Sequence, residues 1–154
     1  IRREPVAIDQ LAGEVVRQVQ VISGSVKVSL SSDLSEPLCL DGDPDRLRQL
    51  LLNLIVNATE AMTDLTEAER TLTISTSFRA DVVSLCVADQ GPGIATAALG
   101  KLFEPFWTTK ANGMGMGLAI CRSIADAHRG SLAATNAPEG GAVFCARLPA
   151  LAST

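Results

Sequence analysis

The chain has 154 residues, of which 47% are hydrophobic and 19% are charged, and its formal net charge is −4. This length suits one domain with its own core, and the composition is that of a globular protein, not a disordered one. An acidic chain lacks the basic face that nucleic acid or an anionic membrane requires, so neither is expected as its main partner. The sequence contains no apolar run near the ~20 residues of a membrane span, and we expect no signal peptide.

The four cysteines and the single histidine do not form a metal-binding pattern. The cysteines lie far apart in apolar surroundings, and no two of them form a CxxC pair. A structural zinc site is therefore not expected. The sequence instead predicts four reduced, buried thiols, those of Cys39, Cys86, Cys121 and Cys145.

The sequence pattern of residues 7–62 predicts two helices and two strands. Apolar residues at helical spacing predict a helix over residues 7–23, and an alternating pattern predicts a strand after it. A short strand, residues 37–40, then ends in a turn. The helix over residues 44–62 has the strongest signal, because Asp43 can cap it and Pro44 suits its first turn.

The second part predicts a hairpin, an irregular segment, a third helix and two further strands. Two β-branched runs, residues 70–78 and 81–89, are joined across a short turn. Residues 90–115 are rich in glycine, and a helix over residues 116–130 is expected to stop at Gly130. Because strands and helices do not alternate as βαβ units, we expect an α+β fold. It would be a two-layer sandwich, with about three helices on one face of a mixed sheet of about five strands.

Two asparagines interrupt the apolar sequence of the second predicted helix. Asn53 and Asn57 are four residues apart, so their side chains lie on one helical face, and Glu60 lies one turn beyond. Asn is unfavourable inside a helix because its amide competes for backbone hydrogen bonds. A helical face rich in side-chain oxygen suits a hard cation such as Mg²⁺. The alternative interpretation is a pair of exposed amides, or of amides that bridge helices.

An acidic residue followed by two glycines ends the second strand of the hairpin. Asp89 precedes Gly91 and Gly93, which allow the backbone to approach a flat ligand closely. A carboxylate fixed at a strand end can accept a hydrogen bond from an exocyclic amine. The alternative interpretation is an ordinary turn at the end of a strand.

The third predicted helix begins directly after alternating glycines, Gly113, Gly115 and Gly117. The free N–H groups and the positive dipole end of such a helix start favour phosphate. Glycine also makes a segment mobile, as a lid must be. The alternative interpretation is a flexible loop without a ligand.

Three of the five aromatic residues lie within five positions, namely Phe103, Phe106 and Trp107. Aromatic side chains bury a large area with few torsions to restrict, so a small cluster can fix a mobile segment in a closed position. The alternative interpretation is that these side chains belong to the core.

Taken in this order, the segments resemble the catalytic and ATP-binding domain of bacterial two-component sensor histidine kinases. This domain belongs to the ATPase superfamily shared with gyrase, Hsp90 and MutL. The stretch LRQLLLNLIVNATEAM resembles the family's N box, DQGPGI its G1 box, LFEPFWTTK its F box and GMGMGLAI its G2 box. GGAVFCARLP is similar to its closing glycine and strand. An F box followed at once by a G2 box favours histidine kinases over the other members.

The resemblance implies a role for each of these residues. Asn53 and Asn57 would be the catalytic and metal-binding residues, with Asn57 holding the Mg²⁺ that bridges the phosphates of ATP. An amide at Asn53 cannot activate water as a base, which favours transfer to a protein histidine over fast hydrolysis. Asp89 would bind the adenine amine. The other expected nucleotide contacts are Gly91, Gly93, Ile94, Lys110, Gly113, Gly115, Gly117 and Leu118.

The resemblance covers nearly the whole chain but leaves out the phosphoacceptor. Residues 1–7 resemble the linker that follows the dimerisation helices, and residues 8–150 resemble the kinase domain. No His-Glu motif occurs, and His128 matches the end of a helix, near the negative end of its dipole. Met114 and Met116 depart from the Thr or Ser and the Leu that are common in the family, a change that a loop tolerates.

The expected activity is transfer of the γ-phosphoryl group of Mg-ATP to a histidine on a separate dimerisation domain of the same protein. The group would then pass to an aspartate of a response regulator. The full-length protein would be a homodimer with this domain in the cytoplasm, and the sequence leaves open whether it is anchored in the inner membrane. The alternatives are an ATP hydrolase or serine kinase on the same fold, and a nucleotide-binding regulatory module without catalysis.

Overall fold

The computed structural model describes residues 2–22, 25–34, 38–104 and 117–150. No helix in these ranges has the length and apolar character needed to cross a membrane. Short 3₁₀ turns occur at Glu67–Glu69 and Thr96–Ala98. The helices are α1 (Ile8–Ile22), α2 (Pro44–Ala61) and α3 (Gly117–Ala127). The strands are β1 (Glu4–Ala7), β2 (Lys27–Ser32), β3 (Cys39–Gly42), β4 (Thr71–Arg79), β5 (Val82–Ala88), β6 (Ser131–Asn136) and β7 (Ala142–Pro149).

Five strands form one mixed sheet in the order β2-β4-β5-β7-β6. β2 runs parallel to β4, and the other neighbouring pairs are antiparallel. Alternate residues of β4, such as Leu72 and Ile74, are buried, while the residues between them are partly or fully exposed. All three helices contact this sheet. The structure confirms the predicted α+β sandwich with helices on one face of a mixed sheet.

The first residues add a second, two-stranded sheet. β1 pairs with β3 in antiparallel register, with Val6 opposite Leu40. The Arg3 guanidinium donates hydrogen bonds to the carbonyl oxygens of Asp41 and Ala127, so this segment also contacts the end of α3. The assignment of residues 1–7 to a linker stays a prediction, but Glu4–Ala7 are a strand attached to the domain.

α2 begins as its sequence predicts. Asp43 Oδ1 accepts hydrogen bonds from the backbone N–H groups of Asp45 at 3.1 Å and Arg46 at 3.3 Å. Its Oδ2 accepts a third bond from the N–H of Arg2 at 3.1 Å. Burial acts to raise the pKa of Asp43, but the three backbone bonds and the charge of Arg46 outweigh it and hold this pKa below its ordinary value.

The end of α3 is joined to the start of α2 through a buried histidine. His128 is only 4% exposed. Its Nε2 accepts a hydrogen bond from the backbone N–H of Asp43 at 3.0 Å, and its Nδ1 lies 2.7 Å from the carbonyl oxygen of Ile124. This arrangement assigns the ring proton to Nδ1. His128 is thus a helix-end residue, as predicted, and both of its nitrogens are occupied.

α3 ends at Ala127, three residues before Gly130, at which the sequence predicts the helix to stop. The left-handed residue is Arg129, with φ of 61°. The N–H of Gly130 donates to the carbonyl of Ala125 at 2.8 Å, which is the long hydrogen bond of a Schellman-type helix end. Glycine is needed at position 130 for another reason, because a Cβ there would collide with the carbonyl oxygen of Arg147.

The prediction of four reduced, buried thiols is wrong. Cys86 of β5 and Cys145 of β7 lie directly opposite each other, with Cα atoms 4.1 Å apart, and form a disulfide. Both cysteines are only partly buried, because the buried residues of β5 and β7 alternate with them and face the other side of the sheet. Cys39 and Cys121 are free, and of these Cys121 is buried. Burial raises the pKa of Cys121 to about 12, so this thiol stays protonated near neutral pH.

Candidate functional site

A cavity of about 400 Å³ lies between α2, the segment after β5 and the first turn of α3. This volume is within the range of small-molecule sites. Five of the predicted site residues line the cavity: Asn57, Asp89, Gly93, Ile94 and Leu118. The remaining lining residues are Glu60, Ala61, Pro92, Ala95, Ala98, Leu102, Ala142 and Phe144.

Asp89 is the polar centre of one end of the cavity. It follows β5 directly and is only 2% exposed. Its Oδ1 accepts hydrogen bonds from the N–H of Gly91 at 2.9 Å and the N–H of Ala142 at 3.0 Å. Its Oδ2 is buried, and no described residue donates a hydrogen bond to it. A buried carboxylate oxygen without a partner is unfavourable, so this atom is suited to a donor on a ligand.

Three glycines lie beside Asp89 at positions where a side chain would not fit. A Cβ at Gly91 would lie 2.7 Å from the carbonyl oxygen of Ala61. Gly93 and Gly141 both have positive φ, of 84° and 82°, and a Cβ at Gly141 would collide with the backbone carbonyl of Asp89. The lack of a side chain at Gly91 and Gly141 therefore allows the backbone to pack closely beside Asp89. The predicted approach of Gly91 and Gly93 to a flat ligand stays a prediction.

The segment that follows Asp89 ends at Ile94, which a distant side chain holds by two hydrogen bonds. The N–H of Ile94 donates to Asn136 Oδ1 at 2.7 Å, and its carbonyl accepts from Asn136 Nδ2 at 2.8 Å. Our sequence analysis missed Asn136, and it also missed the N–H of Ala142 that binds Asp89. Neither position has a local sequence signal, because both contacts depend on strand pairing.

The other end of the cavity is formed by helices. Asn57 and Glu60 of α2 line it together with Leu118 in the first turn of α3. Asn53 is not among the lining residues: its Nδ2 lies 3.4 Å from the carbonyl oxygen of Gly117, and its side chain also hydrogen-bonds the thiol of Cys121. Asn53 therefore bridges α2 and α3, which was the alternative interpretation of this pair.

Several predicted residues lie outside the described ranges. They are Phe106, Trp107, Lys110, Gly113, Met114, Gly115 and Met116. Phe103, which is described, packs its ring edge-on against Phe144 with ring centroids 6.4 Å apart. Because Phe144 lines the cavity, the first aromatic residue of the cluster contacts the wall of the site.

Comparison with known proteins identifies the family. The histidine kinase-, DNA gyrase B- and HSP90-like ATPase family matches residues 42–152, and the chain belongs to this family. The sensor histidine kinase TmoS of Ectopseudomonas mendocina is 38% identical over 149 residues, which are 95% of this chain and 15% of TmoS. The C4-dicarboxylate transport sensor protein DctS of Rhodobacter capsulatus is 45% identical over 103 residues, 67% of this chain and 16% of DctS. The chain thus spans about a sixth of these relatives.

Solved structures agree with this assignment. The catalytic domain of the histidine kinase ThkA superposes with a TM-score of 0.84 at 31% identity, covering 97% of this chain and 96% of the ThkA domain. Full-length ShkA in complex with AMPPNP superposes with a TM-score of 0.82 at 27% identity, covering 100% of this chain and 32% of ShkA. The chain is therefore a catalytic ATP-binding domain of the sensor histidine kinase type, which confirms the resemblance seen in its four boxes.

Proposed function

We propose that the domain binds Mg-ATP with the adenine at Asp89 and the phosphates between Asn57 and the start of α3. We further propose that it transfers the γ-phosphoryl group to a histidine of a separate dimerisation domain. The observation that carries the proposal is the buried Oδ2 of Asp89, which no described residue contacts by a hydrogen bond.

The surroundings of Asp89 support adenine as the ligand. The exocyclic amine of adenine is a donor that matches Oδ2, while Oδ1 is already occupied by two backbone N–H groups. Apolar residues, including Ile94, Leu102 and Phe144, line the same cavity and suit the faces of a flat base. Gly91 and Gly93 would let the backbone lie close to the base.

The helical end of the cavity supports binding of the phosphates. The first turn of α3 lies at the cavity wall, because Leu118 lines the cavity. The N–H groups at the start of a helix and the positive end of its dipole favour negative charge. Asn57 offers an amide oxygen, which is a ligand type that Mg²⁺ accepts beside phosphate oxygens and water. The metal would neutralise charge on the phosphates. Asn53 would act beside Asn57, and Gly113, Gly115, Gly117 and Lys110 would contact the phosphates.

The phosphoryl acceptor is a histidine outside this sequence. His128 is the single histidine of the chain, and both of its ring nitrogens are hydrogen-bonded in a buried position. Neither nitrogen could attack phosphorus while these bonds exist. The full-length protein would therefore supply the acceptor from its dimerisation helices as a homodimer, and an aspartate of a response regulator would receive the group next.

A trans-phosphorylation assay tests the proposed activity. The domain is mixed with the histidine-bearing helical domain of its full-length protein, Mg²⁺ and γ-labelled ATP. We expect acid-labile label on the helical domain, and none when Asn57→Asp replaces the wild-type domain. Acid-stable label on a serine would instead indicate a serine kinase, and free phosphate without transfer would indicate a hydrolase. Binding of ATP with neither product would favour a regulatory module.

A calorimetric titration tests the metal separately from catalysis. The domain is titrated with ADP and with a non-hydrolysable ATP analogue, each with and without Mg²⁺. We expect both to bind, and Mg²⁺ to strengthen binding of the triphosphate analogue more than binding of ADP. Equal affinities with and without Mg²⁺ would contradict the metal part of the proposal and leave the adenine part standing.

A further inference from the structure

We propose that Asn136 is a positioning residue for nucleotide binding, which acts by fixing the segment 90–94 against the sheet. The inference rests on the proposed adenine contact at Asp89. Asn136 is not among the residues that line the cavity, so it would act through Ile94 and Gly93, which do line it.

The contact between Asn136 and Ile94 has the form of a strand pairing. One side-chain amide accepts from the N–H of Ile94 at 2.7 Å and donates to its carbonyl at 2.8 Å. Both backbone polar groups of Ile94 are thus satisfied by one side chain from a position 42 residues away. Two short, matched bonds restrict the position and the orientation of Ile94 together, which a single bond would not do.

The location of Asn136 couples it to the base-binding carboxylate. Asn136 is the last residue of the edge strand β6, and its pairing partner on β7 is Ala142. Ala142 donates its N–H to Asp89 Oδ1, and its carbonyl accepts from the N–H of Asp89 at 3.0 Å. The cavity wall between Asp89 and Ile94 is therefore attached at both ends to the same pair of strands.

Gly93 shows how closely this wall passes Asn136. A Cβ at Gly93 would lie 2.8 Å from Asn136 Oδ1, and Gly93 has φ of 84°. A glycine in this conformation loses more freedom on ordering than other residues. Without Asn136, this freedom would be lost only when the nucleotide binds, and the affinity would fall by about tenfold because the site is no longer preorganised.

Calorimetric titration with ADP tests the inference on wild type, Asn136→Ala, Asn136→Asp and the control Thr135→Ala. Thr135 is the exposed neighbour of Asn136 on β6, and its side chain points to the opposite face of the sheet. We expect about tenfold weaker binding for Asn136→Ala and Asn136→Asp at pH 7.5. Thr135→Ala should bind like the wild type.

The Asn136→Asp variant separates positioning from a general loss of stability. An ionised carboxylate accepts from the N–H of Ile94 but repels its carbonyl, whereas a protonated carboxyl restores both bonds. Model aspartate has a pKa of about 3.9, so part of the introduced carboxyl is protonated at pH 5.0. At this pH the ADP affinity of Asn136→Asp should therefore be only about sixfold below that of wild type, or less. The ratio between the ADP affinities of wild type and Asn136→Ala should stay constant with pH.

Two results would overturn the inference, and they differ from failure of the proposed function. The first is that Asn136→Ala and Asn136→Asp both bind ADP as tightly as wild type. The second is that the ADP affinity of Asn136→Asp is lower than that of wild type by the same factor at both pH values. Wild type that does not bind ADP would overturn the adenine site and this inference with it. If Asn136→Ala does not fold, folded Asn136→Asp at the two pH values provides the test alone.

Discussion

The two ends of the cavity are built in different ways. At the end proposed to bind adenine, Asp89 Oδ1 accepts a hydrogen bond from the N–H of Ala142 on β7 at 3.0 Å. Ile94 is held by two hydrogen bonds, of 2.7 and 2.8 Å, to the side chain of Asn136 on β6.

At the end proposed to bind the phosphates, the polar lining residues Asn57 and Glu60 come from the surface of α2. Beside the cavity, the bond from Asn53 of α2 to Gly117 of α3 is 3.4 Å long. On the proposed binding mode, the base would be recognised by residues attached to the central sheet, while the phosphate contacts would depend on how α2 and α3 are placed.

The largest effect is expected for Asp89→Asn, which changes the adenine end alone. Asn can still accept the two backbone bonds through its oxygen, but its NH₂ would face the amine of adenine, donor against donor. We expect ADP affinity to fall by at least about 100-fold, because buried polar groups would be left unpaired. Calorimetric titration measures this loss.

The matched control for this substitution is a titration with a second nucleotide, GDP. GDP carries a carbonyl oxygen where ADP carries the amine, so the preference of Asp89→Asn for ADP over GDP should shrink relative to wild type. A variant that binds ADP as tightly as wild type would show that the base does not bind at Asp89.

The second effect concerns the backbone beside Asp89. Gly140 and Gly141 both have positive φ, of 107° and 82°, but only a Cβ at Gly141 would collide with the Asp89 carbonyl. We expect Gly140→Ala to lower the free energy of unfolding by about 1 kcal/mol and Gly141→Ala by about 2–3 kcal/mol. Urea denaturation measures both, and equal losses would mean that the close approach to Asp89 is unimportant.

The third effect is expected at the phosphate end, for Asn57→Ala. Loss of the amide oxygen should weaken binding of the Mg²⁺-bound triphosphate analogue by about tenfold and leave ADP without Mg²⁺ within about twofold. The control is Val56→Ala, because Val56 is 53% exposed on the same helix. A similar loss for both nucleotides in Asn57→Ala would contradict the separation of the two ends.

The smallest effect concerns the start of α2, through Asp43. Its pKa is lowered in the folded protein, so its ionised form stabilises the fold at pH values above its ordinary pKa of 3.8. That stabilisation is lost as the pH falls below 3.8 and through the lower folded-state pKa. In Asp43→Asn, which retains a capping side chain, the free energy of unfolding should depend less steeply on pH in this range. Urea denaturation of both proteins between about pH 5 and about pH 2 measures how steeply the free energy of unfolding depends on pH.

Local sequence signals predicted the elements that carry the site. Asp43 and Pro44 marked the start of α2, and the alternating runs marked β4 and β5. Asp89 and Gly93, which line the cavity, could be selected as candidates because a carboxylate at a strand end and the glycines that follow it are neighbours in the sequence. Asn57, which also lines the cavity, could be selected as a candidate because helical spacing fixes the face on which it lies.

The features that the sequence analysis missed depend on pairing between distant segments. The disulfide of Cys86 and Cys145 joins residues 59 positions apart, and only the register of β5 with β7 brings them together. The contact of Asn136 with Ile94 likewise requires β6 to end beside the segment after β5. Gly130 is needed because a Cβ there would collide with the carbonyl oxygen of Arg147 on β7, a residue 17 positions away in the sequence. No local pattern records such constraints.

The disulfide has a consequence for the order in which the molecule opens. β5 and β7 are interior strands of the sheet, and the covalent bond between them also links the two strands that hold Asp89. Opening the edge strands β2 and β6 does not break it, so their amide protons should exchange with solvent first. The amides of β5 and β7 should exchange last. A molecule whose edge strands have opened would therefore retain the hydrogen bonds between Asp89 and Ala142 of β7.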